Sequence, residues 1–141
     1  MRYDCCGRQM DFGSNPYVTN VASMAMDNPN FRTAIWTGSN VQMTLMSICP
    51  CQDIGLEIHE DTDQVIRIEQ GMAVVKMGQR RDELHIQHNL YKGDIVFVPA
   101  GTWHNIINTG RMPLKISTIY APPQHARGTI HHTKAEAEMG E

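Results

Sequence analysis

The side chains with the types and spacing to do chemistry stand between Glu57 and His104. Glu57 and His59 are two apart in a strand-like run, so both leave the same face, roughly 7 Å apart along it. A tight acidic turn, Glu60-Asp-Thr-Asp63, leads to Gln64, whose parity puts it on the face of Ile66 and Ile68. Paired as a hairpin, these runs crowd Glu57, His59 and Gln64 into one interior patch. An ionised glutamate without a partner there costs several kcal/mol, which either a metal ion or a water-filled cavity removes. Taken alone, a Glu-x-His pair on a strand more often faces solvent. His104 arrives from elsewhere, in Gly93-Asp-Ile-Val-Phe-Val-Pro-Ala-Gly-Thr-Trp-His-Asn-Ile-Ile-Asn108. Ile95 to Val98 reads as a strand, Pro99-Ala-Gly101 as a turn, and a second strand starts near Trp103.

The elements that must position these residues are short strands. Apolar runs span Val41 to Cys49, Ile54 to His59, Gln64 to Gln70, Met72 to Met77, Leu84 to Leu90 and Leu114 to Tyr120, separated by Gly, Pro and Asp. That tempo, with few helix signals, predicts an antiparallel sandwich or barrel. Residues 1–40 are less regular: Asp11 to Pro16 and Asp27 to Asn30 carry turn chemistry, and Phe31 to Thr37 forms a short strand. After Ala121-Pro-Pro, one more strand fits Gly128 to His132, and Thr133 caps a short helix to Glu138. The expected organisation is one domain: an extension over 1–40 packing on the barrel or a partner, a core over 41–121, and a tail over 122–141.

Composition narrows the class. A chain of 141 residues buries roughly 70% of its unfolded surface, so no disulfide staple is needed. A net charge of -3 gives no basic footprint for nucleic acid. Met1 to Met10 is polar, no apolar run of signal-peptide length follows, and no stretch is long enough to span a membrane, so a cytoplasmic protein is expected. The cysteines fall in two close pairs, Cys5-Cys6 and Cys49-Pro-Cys51. Their spacing is not that of a structural zinc site, and free thiols are expected. His85 and His88 have opposite strand parities, and His125, His131 and His132 lie in the tail, with His125 or Tyr120 in reach of a cavity mouth.

The pattern Gly93-x5-Pro99-x-Gly101-x2-His104-x3-Asn108 resembles the second sequence motif of the cupin superfamily at every defined position. The first cupin motif, Gly-x5-His-x-His-x(3,4)-Glu-x6-Gly, is matched in spacing when counted back from Gly71. Gln64 then stands at the glutamate position, His59 at the second histidine, Glu57 at the first and Cys51 at the opening glycine. The resemblance covers about residues 40 to 121. It implies an all-β fold, a jelly-roll β-barrel with a short C-terminal helical tail and one divalent metal ion inside. Carried over by position, Glu57, His59, Gln64 and His104 are the metal ligands, a mixed N/O set suited to Fe, Mn, Ni or Zn. The implied activity is that of a metalloenzyme on a small oxygenated molecule, with dioxygenase-like or sugar-isomerase-like chemistry. Glu57 is the candidate base, and Ile66, Ile68 and Ile106 offer an apolar cavity wall. Arg67 points away by parity, which leaves a phosphate group no evident anchor. The alternative is a non-catalytic cupin that binds or senses a small molecule. Partners implied are a small-molecule ligand and a second copy of the chain in a homodimer, with no nucleic acid and no membrane.

Overall fold

The computed structural model describes residues 11–139. The Cys5-Cys6 pair and the polar segment at Met1 to Met10 lie outside the described residues. In chain order the elements are α1 (Val21–Asp27), β1 (Arg32–Thr37), β2 (Gln42–Ile48), β3 (Asp63–Gln70), β4 (Ala73–Gly78), β5 (Ile86–Leu90), β6 (Ile95–Val98), β7 (Trp103–Asn108), β8 (Leu114–Ala121), β9 (Ile130–His131) and α2 (Lys134–Met139). No helix among the described residues is long and apolar enough to cross a membrane.

The strands form two antiparallel sheets, one in the order β6-β3-β8-β2-β1-β9 and the other β5-β4-β7. Alternation along β3 and β8, up to a register shift after Ile68, turns Gln64, Ile66 and Ile68, and Leu114, Ile116, Thr118 and Tyr120, toward the facing sheet. Ile66, Ile68, Met46 and Ile116 from the large sheet meet Ala73, Val75, Leu90 and Ile106 from the small one in a single core. This burial is the main stabilising term of the fold.

The expected barrel is not closed: the sheets stay separate, as a two-layer sandwich. The Tyr91–Asp94 turn, fixed by Asp94 N to Tyr91 O at 2.9 Å and Tyr91 N to Asp94 Oδ2 at 2.8 Å, carries the chain from β5 in one sheet to β6 in the other. A hollow of about 630 Å³ remains between them, lined by His88, Asn89 and Phe97 among others. Closure would bring β5 and β6 into one ladder, whereas the turn makes them opposing edges.

The short helix α1 has no counterpart among the expected elements. Asn20 caps it by accepting from Ser23 N at 2.9 Å. Its Met24 and Ala25 pack on Ile35 and Leu45, covering part of the outer face of the large sheet. That explains why four successive residues of β1, Arg32 to Ile35, are buried: one face meets the core and the other meets α1. At the other end, Thr133 caps α2 as the sequence predicts, with Glu136 N donating to its Oγ1 at 3.1 Å.

Candidate metal centre

The turn that delivers His104 is tied to the segment carrying His59. Gly101 N donates to His59 O at 2.8 Å, and Ala100 N donates to Asp63 Oδ1, also at 2.8 Å. Gly101 takes φ +80, where a side chain would be strained. Asp61 is exposed in the turn, as its sequence position suggests, whereas Asp63, also exposed, is already the first residue of β3.

The run from Ile54 to His59 is not the strand, nor the hairpin partner of β3, that the sequence predicts. It lies along the free edge of β7 in isolated bridges, Asp53 with Ile107 and Glu57 with His104. Gly55, at φ +96, interrupts the ladder between them. Glu57 N donates to His104 O at 3.0 Å and His104 N to Glu57 O at 2.9 Å. Glu57 is thus set against His104 by backbone pairing, a closer coupling than the hairpin implied.

Three donor atoms, from Glu57, His59 and His104, lie within 4.8 Å of one another. Glu57 Oε1 is 3.3 Å from His59 Nε2 and 3.4 Å from His104 Nε2. The His104 side chain is fully buried, whereas that of Glu57 is 26% exposed. His104 Nδ1 lies 3.0 Å from the Thr102 carbonyl, which can only accept, so Nδ1 carries the proton and Nε2 faces the cluster. A backbone carbonyl behind an imidazole is the arrangement that orients metal-ligating histidines. Gln64 is inward-facing and buried, paired in register with Tyr120 and Val98, and its Oε1 has no hydrogen-bond partner among the described residues. Tyr120 in turn sets its ring edge-on to His59, with centroids 5.7 Å apart. Two imidazole nitrogens and a carboxylate within 4.8 Å of one another fit a divalent transition metal. Ile66, Ile68 and Ile106 are all fully buried in the packed core.

The electrostatics are those of a tight cluster. Burial alone would raise the Glu57 pKa, but its close contacts with His104 and His59, and their charge when protonated, outweigh it and hold the carboxyl at about 2. Burial first, and then the Glu57 charge, push the Tyr120 phenol up. Beyond Tyr120 a file of rings leads away from the donors. His125 stands 5.1 Å from Tyr120 and 6.5 Å from His131, whose Nδ1 accepts from Arg32 Nη1 at 3.1 Å. Burial, then the Arg32 charge, bring the His125 pKa down to about 3 from its ordinary 6.5.

That shift has a signed consequence. Between pH 6.5 and 3 the unfolded chain protonates His125 and the folded chain does not, so stability falls as pH falls across this window. Glu57 acts in the same direction between 4.5 and 2. Urea denaturation is expected to show a loss approaching about 1.4 kcal/mol per pH unit from one such group. His125→Gln should flatten the slope between 6.5 and 4.5, where Glu57 does not yet titrate. An unchanged slope in that variant would assign it elsewhere.

Sequence reasoning missed two inward residues. Tyr120 was legible in the alternation of β8 but was placed only in reach of the cavity mouth, whereas it is fully buried against His59. Arg32, 3% exposed, is an inward cation where the sequence suggests none. Its inward direction depends on β1 being covered on both faces. Arg67 does point outward, toward Glu69.

The Cupin domain family model matches residues 44–120. YrkC of Bacillus subtilis is 53% identical over 131 residues, covering 93% of this chain and 70% of its own. L612 of Acanthamoeba polyphaga mimivirus is 44% identical over 115 residues, 81% of this chain and 70% of its own. The crystal structure of BH2720 from Bacillus halodurans superposes with a TM-score of 0.91 at 50% identity, covering 92% of this chain and 98% of that one. The family match spans β3 to β7 entire, and with them the acidic turn, Gln64 and the Pro-Ala-Gly turn before His104, so the chain belongs to the cupin domain family.

Proposed function

We propose that this cupin is a metalloenzyme acting on a small oxygenated molecule, with Glu57, His59, Gln64 and His104 holding one divalent ion of Fe, Mn, Ni or Zn. The observation that carries this reading is the convergence of the Glu57, His59 and His104 donor atoms within 4.8 Å. Such an ion supplies Lewis-acid stabilisation of negative charge on a ligand oxygen, the common need of dioxygenase-like and isomerase-like chemistry. The chain's own residues do the rest. His104, held by the Thr102 carbonyl, presents Nε2 in a fixed direction. Glu57, the most exposed of the three, is placed to exchange a proton with a ligand. With both imidazoles in contact its carboxylate is a weak base, so that role requires them to turn to another partner. Ile66, Ile68 and Ile106 back the site with apolar side chains, which strengthens electrostatic interactions there.

A cytoplasmic homodimer belongs to the same reading. Its support is an apolar row across the outer face of the large sheet: Phe97, Val65, Ile119, Met43 and Trp36 follow one another in register. Phe97 is 66% exposed.

Elemental analysis of protein purified without added metal tests the metal reading, with close to one equivalent expected. Less than about a tenth of an equivalent, with no uptake on titration, would sink it. Oxygen consumption with Fe(II) and a diketone or flavonol panel then separates oxygenase from isomerase. Metal uptake with binding but no turnover across such panels favours the non-catalytic, sensing alternative.

A further inference from the structure

The two imidazoles of the donor cluster are held unequally. His104 sits in the β7 ladder, with its Nδ1 tied to the Thr102 carbonyl. His59 lies outside the named strands, and its Nε2 stands 3.3 Å from Glu57 Oε1. A histidine ligates a metal well when its ring orientation is set in advance by its surroundings. For His59, packing sets it.

Tyr120 supplies that packing. Its ring meets the His59 imidazole edge-on, with centroids 5.7 Å apart and planes at 86°, an arrangement that aromatic pairs favour. Tyr120 is the rigid member of the pair. It is 1% exposed and stands on β8 between two ladders, paired in register with Gln42 of β2 and Gln64 of β3. Cross-strand neighbours on one face lie about 5 Å apart, so Tyr120 also adjoins Gln64.

A second ring braces the first. His125 stands edge-on to Tyr120, with centroids 5.1 Å apart and planes at 82°. His125 belongs to the tail after β8, and buried Gln42 clamps its backbone. Gln42 Oε1 accepts from His125 N at 2.9 Å and from Gln124 N at 3.2 Å. Its Nε2 donates to the His125 carbonyl at 2.9 Å and to Thr37 Oγ1 at 3.0 Å. The tail is thereby fastened to β2 beside the ring that faces His59.

We infer that Tyr120 is a positioning residue of the metal centre: its ring, braced by His125, fixes the plane of the His59 imidazole. The rigidity of the large sheet then reaches the loosely fastened half of the cluster. The inference rests on the metal-centre reading and adds what sets the geometry of that site, the body of the Tyr120 ring rather than its hydroxyl.

The test is Co(II) titration of the full chain. Affinity is read by competition against a chromophoric chelator, and ligand geometry by the visible absorption of bound Co(II). Tyr120→Leu is expected to lower affinity by about tenfold or more and to shift the absorption bands, whereas Tyr120→Phe should stay within about threefold of the parent with parental bands. In the metal-free chain, amide exchange around His59 should be faster in Tyr120→Leu than in Tyr120→Phe. Parent protein that takes up no Co(II) refutes the metal centre. Normal parental uptake, with parental affinity and bands in Tyr120→Leu, refutes the positioning role alone. Tyr120→Phe as weak as Tyr120→Leu overturns it too, by moving the effect to the hydroxyl. Where Tyr120→Leu does not fold, the metal-free parent decides: a nuclear Overhauser contact between the Tyr120 and His59 ring protons is expected, and its absence overturns the inference.

Discussion

His104→Ala is expected to lower affinity for a divalent metal by on the order of 100-fold or more, since even partners behind a ligand shift affinity 10- to 100-fold. His104 is the donor most firmly placed, fully buried and on a regular strand. Its Nδ1 is committed to the Thr102 carbonyl. The remaining donors, Glu57 and His59, lie on a segment outside the named strands and cannot by themselves enforce the same geometry. Competition against a chromophoric chelator reads the change directly. The variant also strips Glu57 of the first of the partners that hold its pKa down, so the carboxyl should titrate higher. A folded variant with parental metal affinity would show that His104 is not a ligand.

Gly78→Ala is expected to destabilise the fold by about 3 kcal/mol, at the upper end of overpacking effects. A Cβ at Gly78 would meet the carbonyl oxygen of Glu83 at 2.0 Å and its carbon at 2.9 Å. Both are backbone atoms of the turn after β4, so no side chain can swing aside. Gly78 pairs with Trp103, one residue from the Met77–His104 pair, so the displacement reaches the strand that carries His104. Urea denaturation measures the loss. Gly110→Ala is the contrast: its nearest contacts would be at 3.6 Å, ordinary packing distance, and a change within about 1 kcal/mol is expected. Equal stability of the two variants would contradict the argument.

The strands from Gln42 onward were legible because each alternates or runs apolar between Gly, Pro and Asp punctuation; Ile95–Val98 falls where the sequence puts it. Helix α1 was not legible: at seven residues it carries too little periodicity, and it is held by packing on Leu45 and Ile35. At the site, parity found the shared direction of Glu57 and His59, and the turn chemistry found His104. The partner of the 53–59 run was misread, because pairing is a tertiary choice. An acidic turn suggests a hairpin to β3, yet β3 is already flanked by β6 and β8, and the free edge belongs to β7. Arg32 stayed hidden because a buried cation on a short strand looks like any polar residue until both covering layers are known.

Those isolated bridges also set the rhythm at which the protein breathes. Glu57 and His59 ride on a segment fastened at scattered points, interrupted by Gly55, while His104 is part of a ladder with β4 on its other side. Segments with few cooperative hydrogen bonds open at lower free energy than the sheets beside them. The cluster is therefore built half on a hinge and half on a frame. Amide hydrogens around 53–59 are set to exchange before those of β7 beside them, and a ligand that bridges the two halves slows them.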